Sequence, residues 1–142
     1  MALATLERRV LVDTGPMVAI FSASDENHQV CTEQLRTIKG PLLTCWPVMT
    51  EAAWLLRTSP RALALLLSSF DAGLFEFASL GEADLSGIAA ILDRYQELRI
   101  QLADASLVHL ANREGIETIF TLDRRDFSVL RMAGGKKFRL IP

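Results

Sequence analysis

The sequence predicts an α/β protein with three layers, in which helices cover both faces of a central, mostly parallel sheet of four to five strands. Short strand-like segments alternate with helical segments along the 142 residues, which is the pattern of a parallel sheet. The first strand-like segments are continuous apolar runs, as expected for strands that are buried on both faces. In addition, two of the predicted strands are followed closely by an aspartate, at the edge where such sheets place their ligands.

Length and composition limit the possible classes of protein. A chain of 142 residues predicts a single domain, residues 1–142, that can bury a core without disulfides. Half of the residues are hydrophobic and the mean hydropathy is +0.25, so some apolar surface is expected to bind a partner, either a second copy or a regulatory protein. A net charge of −2 argues against binding of nucleic acid through a broad basic field, but it allows an enzyme that contacts a few phosphates through a metal.

The sequence also indicates a cytoplasmic protein with no membrane segment. Cys31 and Cys45 fit no metal-ligand spacing and are expected to be small buried hydrophobes in a reducing compartment. Residues 1–6 are followed at once by Glu7, Arg8 and Arg9, so they lack the apolar core of a signal peptide. No apolar run approaches the roughly 20 residues of a membrane-spanning helix.

The first elements lead to an acidic residue at a strand end. Val10-Leu11-Val12 predicts a buried strand that ends at Asp13, and Thr14-Gly15-Pro16 indicates a turn into a helix that starts at or just after the proline. Asp13 therefore either reaches a site or caps this helix. Residues 28–38 predict a second helix, because apolar residues recur there at helical spacing before Gly40-Pro41.

The middle of the chain adds a second acid in an apolar setting. Residues 42–46 predict a buried strand, and Pro47 starts a helix in which Glu51 interrupts an apolar stretch. Residues 61–70 predict a helix that is apolar almost all round, which makes it the leading candidate for a partner surface. Residues 74–78 predict a third, shorter strand.

The second half contributes two further acids. Residues 81–84 open what the pattern predicts to be the longest helix, with an apolar stripe of Leu85, Ile88, Ala89, Leu92 and Tyr95. Asp104 stands at the start of the next helix, which Gly115 ends. Residues 117–121 predict a fourth strand that is followed by Asp123, and residues 138–141 predict a last strand after Gly134-Gly135.

These acids have an unusual position in common. Asp13, Glu51 and Asp104, together with Asp123, each lie beside apolar residues where one element gives way to the next. Because parallel strands run in the same direction, their carboxyl ends meet at one edge, and the acids are expected to share a pocket. Neighbouring carboxylates repel one another, whereas a divalent cation turns that repulsion into ligation. Oxygen ligands without a nearby set of His or Cys favour Mg²⁺, with Mn²⁺ as the alternative, over zinc.

Four motifs in this order resemble a PIN domain. They are Leu-Val-Asp-Thr-Gly at 11–15, Glu51 within residues 50–56, Asp104 within 102–105, and Thr-Leu-Asp-Arg-Arg-Asp-Phe at 121–127. The resemblance covers nearly the whole chain, and the size is similar to that of VapC-type toxins of toxin–antitoxin pairs. It implies an Mg²⁺-dependent ribonuclease that hydrolyses single-stranded or structured RNA, with a cognate antitoxin as partner. A homodimer is also expected.

The resemblance implies that Asp13, Glu51, Asp104 and Asp123 hold one or two Mg²⁺ ions, with Asp13 and Asp104 as the principal ligands. Such ions would activate water and neutralise the phosphate. Thr14 is a candidate for holding a bound water or phosphate. Thr121 is a candidate for orienting a neighbouring carboxylate. Both threonines also fit ordinary turn or strand positions.

The remaining candidates have structural alternatives. Asp126 competes with Asp123 as the fourth acid, and Asp123 is favoured because it comes first after the strand. Arg124 and Arg125 would contact RNA phosphates, although an exposed arginine pair is more often solvated surface. His109 points to a different helix face from Asp104 and is expected to be a packed or surface residue rather than a catalytic base. Trp46 and Trp54 are expected to pack in the core rather than to stack on bases.

Other functions explain the same acids less well. Taken singly, Asp104, Asp123 and Asp126 would cap helices or turns, and Glu51 would be a solvated helix residue. A phosphohydrolase of the haloacid-dehalogenase type needs a second Asp two residues after the first, where this chain has Gly15. A receiver domain needs an Asp after a middle strand, and the third predicted strand ends without one. A non-catalytic RNA- or protein-binding module of the same fold remains the main alternative.

Overall fold

The computed structural model describes residues 9–142 of the chain. Residues 1–6, where the sequence predicts no signal peptide, lie outside the described residues. None of the helices in the described part has the length and apolar character that are needed to span a membrane.

A five-stranded, all-parallel sheet forms the centre of the structure, in the strand order β3-β2-β1-β4-β5. Leu11 in the central strand pairs with Leu43 on one side and with Ile119 on the other. The sheet confirms the predicted fold class, and each three-residue strand lies inside a predicted segment. The strands are β1 (Val10–Val12), β2 (Leu42–Thr44), β3 (Phe75–Phe77), β4 (Thr118–Phe120) and β5 (Arg139–Ile141).

Helices connect the strands and cover the sheet. The described residues form seven α-helices, of which the last is a single turn. They are α1 (Thr14–Phe21), α2 (His28–Thr37), α3 (Trp46–Leu55), α4 (Pro60–Asp71), α5 (Leu85–Arg94), α6 (Leu102–Glu114) and α7 (Arg124–Phe127).

Two helices begin earlier than the prolines predicted. Helix α1 begins at Thr14, two residues before Pro16, because the Asp13 carboxylate accepts the Thr14 N–H at 2.8 Å and caps the helix. Helix α3 begins at Trp46, so this residue belongs to the helix and not to the preceding strand. The prolines lie within the first turn of each helix, where a missing N–H leaves no hydrogen bond unmade.

The region before α6 corrects two further predictions. Residues Glu82–Asp84 form a short 3₁₀ turn, and the longest helix is α6 with 13 residues rather than α5. The predicted apolar stripe of α5 is confirmed at Ile88, Leu92 and Tyr95, but Leu85 is 60% exposed and Ala89 is exposed. At Gly87 an added Cβ would lie 2.7 Å from the His109 ring, so this side of α5 packs closely on α6.

A polar contact fixes α6 against the start of α5. The Nε2 atom of His109 lies 2.8 Å from Asp84 Oδ1, and Arg113 donates to the same oxygen at 3.1 Å. Arg113 also donates to the carbonyl of Ser79 at 2.8 Å. His109 is therefore packed between α5 and α6, one of the two positions expected for it, and it helps to position the helix whose first turn holds Asp104. The three central strands are buried along their whole length, and α6 has seven buried residues, more than any other helix of the described part.

Candidate active site

All four predicted acids line one open cleft at the carboxyl edge of the sheet. The cleft has a volume of about 580 Å³ and includes Asp126 as a fifth acid. The strand order accounts for this, since β1 and β4 are neighbours and their ends deliver Asp13 and Asp123 to the same edge. The lining residues are Asp13, Thr14, Gly15, Glu51, Leu55, Arg99, Gln101, Asp104, Leu122, Asp123 and Asp126.

Asp13 is the most buried of the acids, with only 7% of its surface exposed. Its Oδ1 accepts the N–H of Thr14 at 2.8 Å, and its Oδ2 accepts the hydroxyl of Thr121 at 2.8 Å. Burial raises the pKa of Asp13 to about 6, even though both hydrogen bonds lower it; the charges of Asp104 and Glu51 raise it further. Among residues 9–142, its ionised form therefore has no hydrogen-bonded counter-charge.

Thr121 links the two acids that follow the strands. Its hydroxyl oxygen accepts the backbone N–H of Asp123 at 2.9 Å while its proton is donated to Asp13. The hydroxyl thus fixes the carboxylate of Asp13 and the backbone of Asp123 relative to each other. This geometry agrees with the orienting role expected for Thr121.

Asp104 lies in the first turn of α6, where its Oδ2 accepts the N–H of Gln101 at 3.0 Å. Burial raises the pKa of Asp104, and the charges of Asp123, Glu51 and Asp126 add to the effect, while the Gln101 hydrogen bond opposes it. The residue combines a capping contact with a place in the cleft. The capping alternative considered for this acid is found in part, since Asp104 is the third helical residue of a capping box whose N-cap is Gln101. Its role as a metal ligand stays a prediction.

Asp123 and Asp126 both line the cleft. Their positions therefore do not decide which of them is the fourth acid. Asp123 caps α7, because its Oδ1 accepts the N–H of Asp126 at 3.0 Å. Burial raises the pKa of Asp126, and its proximity to Asp123 contributes in the same direction. Glu51, from α3, is partly buried and completes the acidic lining.

The donor set fits a hard divalent cation. The oxygen donors of the lining include five carboxylates and the hydroxyl of Thr14, whose buried Oγ1 has no hydrogen-bond partner within the described residues. Such an atom is suited to hold a water molecule or a ligand oxygen. Within residues 9–142, no three His, Cys, Asp or Glu side chains form a preformed ligand cluster, so the carboxylates surround the cleft without converging on one point.

Sequence reasoning missed Arg99 and Gln101, which also line the cleft. Arg99 has φ 55° and ψ 41°, and it is the one non-glycine residue with a positive φ in the described part of the chain. Its guanidinium makes no hydrogen bond or ion pair with the other described residues. No glycine marks this left-handed position, and the available signal was its place shortly before Asp104.

Neither arginine of α7 lines the cleft. Arg124 donates to the carbonyl oxygens of Leu140 and Pro142, so it anchors the end of the chain. Arg125 is exposed on the same turn. A direct contact between these arginines and a substrate in the cleft therefore has no support from their positions.

The expectation that both tryptophans pack in the core is wrong. Trp46 is 61% exposed and Trp54 is 63% exposed. Trp46 starts α3 at the sheet edge, where its ring stacks on Phe77 at 4.5 Å, while Trp54 holds the Arg57 guanidinium 3.8 Å from its ring centroid. Helix α3 buries Val48, Met49 and Ala52 instead, and so its opposite side faces solvent.

Comparison with known proteins identifies the fold and the family. The PIN-domain family profile matches residues 10–132. Ribonuclease VapC26 of Mycobacterium tuberculosis is 36% identical over 135 residues, covering 94% of this chain and all of that protein. The chain belongs to the PIN-domain family. The resemblance seen in the four motifs is thereby confirmed, and this PIN domain is a nuclease of the VapC toxin type. Ribonucleases of the PIN family generally depend on a divalent metal ion.

Two solved structures share the fold of this PIN domain. VapC20 of Mycobacterium tuberculosis, a toxin that cleaves the sarcin–ricin loop, has a TM-score of 0.74 at 18% identity, covering 82% of this chain and 91% of that one. VapBC2 of Rickettsia felis, bound to a DNA fragment from its promoter, has a TM-score of 0.63 at 13% identity, covering 94% and 98%.

Without metal, the stability of this PIN domain is expected to fall between about pH 4 and pH 6. In that range folded Asp13 retains a proton that the unfolded chain has released, because its pKa rises from 3.8 to about 6. The free energy of unfolding therefore falls as pH rises, by up to about 3 kcal/mol from this group. Asp104 acts in the same direction.

Urea unfolding in EDTA at a series of pH values measures this effect. Asp13→Asn should flatten the decline and make the metal-free protein more stable than wild type at pH 7. Asp93→Asn, which removes an exposed carboxylate on α5 outside the cleft, should leave the decline intact. A decline that is equally steep in Asp13→Asn would contradict this account of Asp13.

Proposed function

We propose that this PIN domain is an Mg²⁺-dependent endoribonuclease, with Mn²⁺ as a substitute, that hydrolyses single-stranded or structured RNA as the toxin of a toxin–antitoxin pair. We further propose that residues 1–142 form one nuclease domain, which the family match over residues 10–132 supports. The main observation behind the proposal is the cleft, which five carboxylates line and in which no described cationic side chain is hydrogen-bonded to Asp13 or Asp104. A divalent ion relieves that repulsion.

The residues of the cleft have distinct roles in the proposed reaction. A bound divalent ion supplies charge at the scissile phosphate and lowers the pKa of the attacking water. Asp13 and Asp104 would hold the ion, and Glu51 and Asp123 would be further ligands, either directly or through water. Thr121 keeps Asp13 in place through its 2.8 Å hydrogen bond, and the unpaired hydroxyl of Thr14 orients a water or phosphate oxygen. Asp126 adds negative charge at the same edge.

The first prediction is that the purified chain cleaves RNA only when Mg²⁺ or Mn²⁺ is present. Asp13→Asn and Asp104→Asn should each lower the cleavage rate at least about 100-fold, because each removes a charged ligand of the ion. Cleavage of labelled unpaired and hairpin RNAs, followed by gel electrophoresis with and without EDTA, measures the rate. Circular dichroism establishes that each variant folds.

The matched control is Asp93→Asn, which should cleave at the wild-type rate. Equal cleavage by wild type and both site variants would refute the assignment of the acids. If the chain binds RNA but no metal supports turnover, the alternative of a non-catalytic binding module replaces the proposed function.

Arg99 is the proposed phosphate contact in this cleft. Its guanidinium is exposed, lacks a partner among the described residues and lines the same wall as Gln101. A non-glycine residue in the left-handed region costs of order 1 kcal/mol, so a glycine here would be more favourable for folding alone. An arginine that occupies this position in spite of the cost fits the binding of an anionic group of the substrate.

Arg99→Gly is therefore expected to affect stability and binding in opposite directions. The free energy of unfolding should stay unchanged or rise by about 1 kcal/mol, since glycine adopts φ 55° without strain. RNA affinity should fall, and the slope of log affinity against log salt should decrease by about one, as for the loss of one phosphate contact.

Fluorescence anisotropy with labelled RNA over a range of salt concentrations measures both quantities. Arg36→Ala removes an exposed arginine on α2 away from the cleft and serves as the control for net charge. An unchanged salt slope in Arg99→Gly would assign Arg99 to the protein surface rather than to the substrate.

We also propose an antitoxin partner, a homodimer and a cytoplasmic location. The antitoxin partner is supported by VapBC2, a solved structure that shares this fold. Helix α4, predicted as a partner surface, exposes Leu65 and Leu67 at 49% and 53%, and beside it a groove of about 830 Å³ runs along α1. The exposed apolar side chains also support association of two copies.

The cytoplasmic location is supported by the two cysteines. The free, buried thiols of Cys31 and Cys45 are consistent with a reducing compartment.

A further inference from the structure

A second cavity adjoins the acidic cleft. It has a volume of about 420 Å³ and shares Glu51 and Gln101 with the cleft, so the two form a continuous surface. The cavity lies between the first turns of α3 and α6. Its lining consists of Trp46, Pro47, Thr50, Glu51, Gln101, Leu102 and Ala103.

The ring of Trp46 is held in place from behind. It stacks on Phe77 with centroids 4.5 Å apart and an interplanar angle of 17°, and Phe77 stacks on Phe70 at 4.5 Å and 16°. Three nearly parallel rings thus fix the orientation of the indole. Although Phe77 covers one face, Trp46 remains 61% exposed. The ring is therefore a rigid platform with a free aromatic surface, and little conformational entropy is lost when a second ring stacks on it.

The rest of the cavity suits a flat, uncharged ligand with polar edges. Apart from Glu51 at the border with the cleft, the lining has no charged side chain, and Leu102 is 52% exposed there. Thr50 and Gln101 supply a hydroxyl and an amide that can donate and accept hydrogen bonds. A phosphate would find no cation in this lining, whereas a nucleobase has an aromatic face and hydrogen-bonding edges.

We propose that Trp46 forms a nucleobase subsite, in which an unpaired base of the RNA next to the scissile bond stacks on the indole. The proposal rests on the proposed ribonuclease function of the cleft. It makes Trp46 a substrate-positioning residue, and it places Thr50 and Gln101 where they can contact the edge of the base. The subsite favours unpaired over paired nucleotides, because a base within a duplex has no free face.

The chain has only two tryptophans, which makes the fluorescence of each separable. Trp54 is the matched control, since it is equally exposed on the same helix but does not line the cavity and has Arg57 against its ring. In an Asp104→Asn background with Mg²⁺, Trp54→Phe leaves Trp46 as the reporter, and Trp46→Phe leaves Trp54. Unpaired RNA should quench the tryptophan fluorescence of the Trp54→Phe protein and leave that of the Trp46→Phe protein unchanged.

Affinity provides the second measurement. Trp46→Ala should weaken binding of unpaired RNA by about tenfold, Trp46→Phe should weaken it less, and Trp54→Ala should leave it unchanged. An RNA that lacks the base at the contacted position should bind wild type more weakly than the intact RNA does. Trp46→Ala should bind the two RNAs equally well. This coupling separates stacking from a general loss of structure in the variant.

Three results would overturn the subsite. If RNA binds with unchanged affinity to Trp46→Ala and quenches neither reporter, the subsite is wrong while the nuclease function stands. If no RNA binds the folded wild-type chain, both proposals fail together. If Trp46 fluorescence depends on protein concentration without RNA, and Trp46→Ala turns a dimer into a monomer in sedimentation, the surface joins two copies of the chain instead.

Discussion

The uncompensated charge of Asp13 is the constraint on which the rest of the site depends. Its carboxylate is 7% exposed and is held by two neutral donors, the amide of Thr14 and the hydroxyl of Thr121. Neither donor cancels its charge, and burial raises its pKa to about 6. At neutral pH the ionised group therefore destabilises the folded chain unless a cation is present. Such a cost is typical of a site whose residues are arranged for a ligand rather than for stability.

The architecture explains why the acids can be held so close together. Asp13 caps α1, Asp123 caps α7 and Asp104 accepts an amide in the first turn of α6, so backbone N–H groups fix three carboxylates. Capping also partly offsets their negative charge through the positive end of each helix. The contact of His109 with Asp84 then holds α6 against α5, which keeps Asp104 at its place in the cleft.

The sequence was sufficient for those features that follow from the common direction of parallel strands. Segments 10–12 and 117–121 predicted strands of a parallel sheet, and the acids just beyond their ends were expected at one edge. The structure adds that these two strands are neighbours. Features that depend on tertiary packing were not predictable in this way. Arg99 adopts a left-handed conformation without a glycine to mark it, and Gly87 of α5 lies close to the His109 ring of α6.

Exposed aromatic residues were the other limit of sequence reasoning. A tryptophan in an apolar segment is usually buried, and nothing local indicates that Trp46 starts a helix at the rim of a cavity. Only the stacked rings of Phe77 and Phe70 show that the exposed indole of Trp46 is held in one orientation. The acidic cleft and the aromatic cavity share Glu51 and Gln101, so a single RNA strand that places its phosphate in one can place its base in the other.

The most direct test of the central claim is the effect of Mg²⁺ on stability at pH 7.5, measured by urea unfolding. If the carboxylates bind the ion, the free energy of unfolding of wild type must rise with Mg²⁺ concentration as a ligand of the folded state requires. Asp13→Asn should lose that rise, and Asp93→Asn should keep it. A wild-type stability that does not respond to Mg²⁺, or an equal response in Asp13→Asn, would contradict the account.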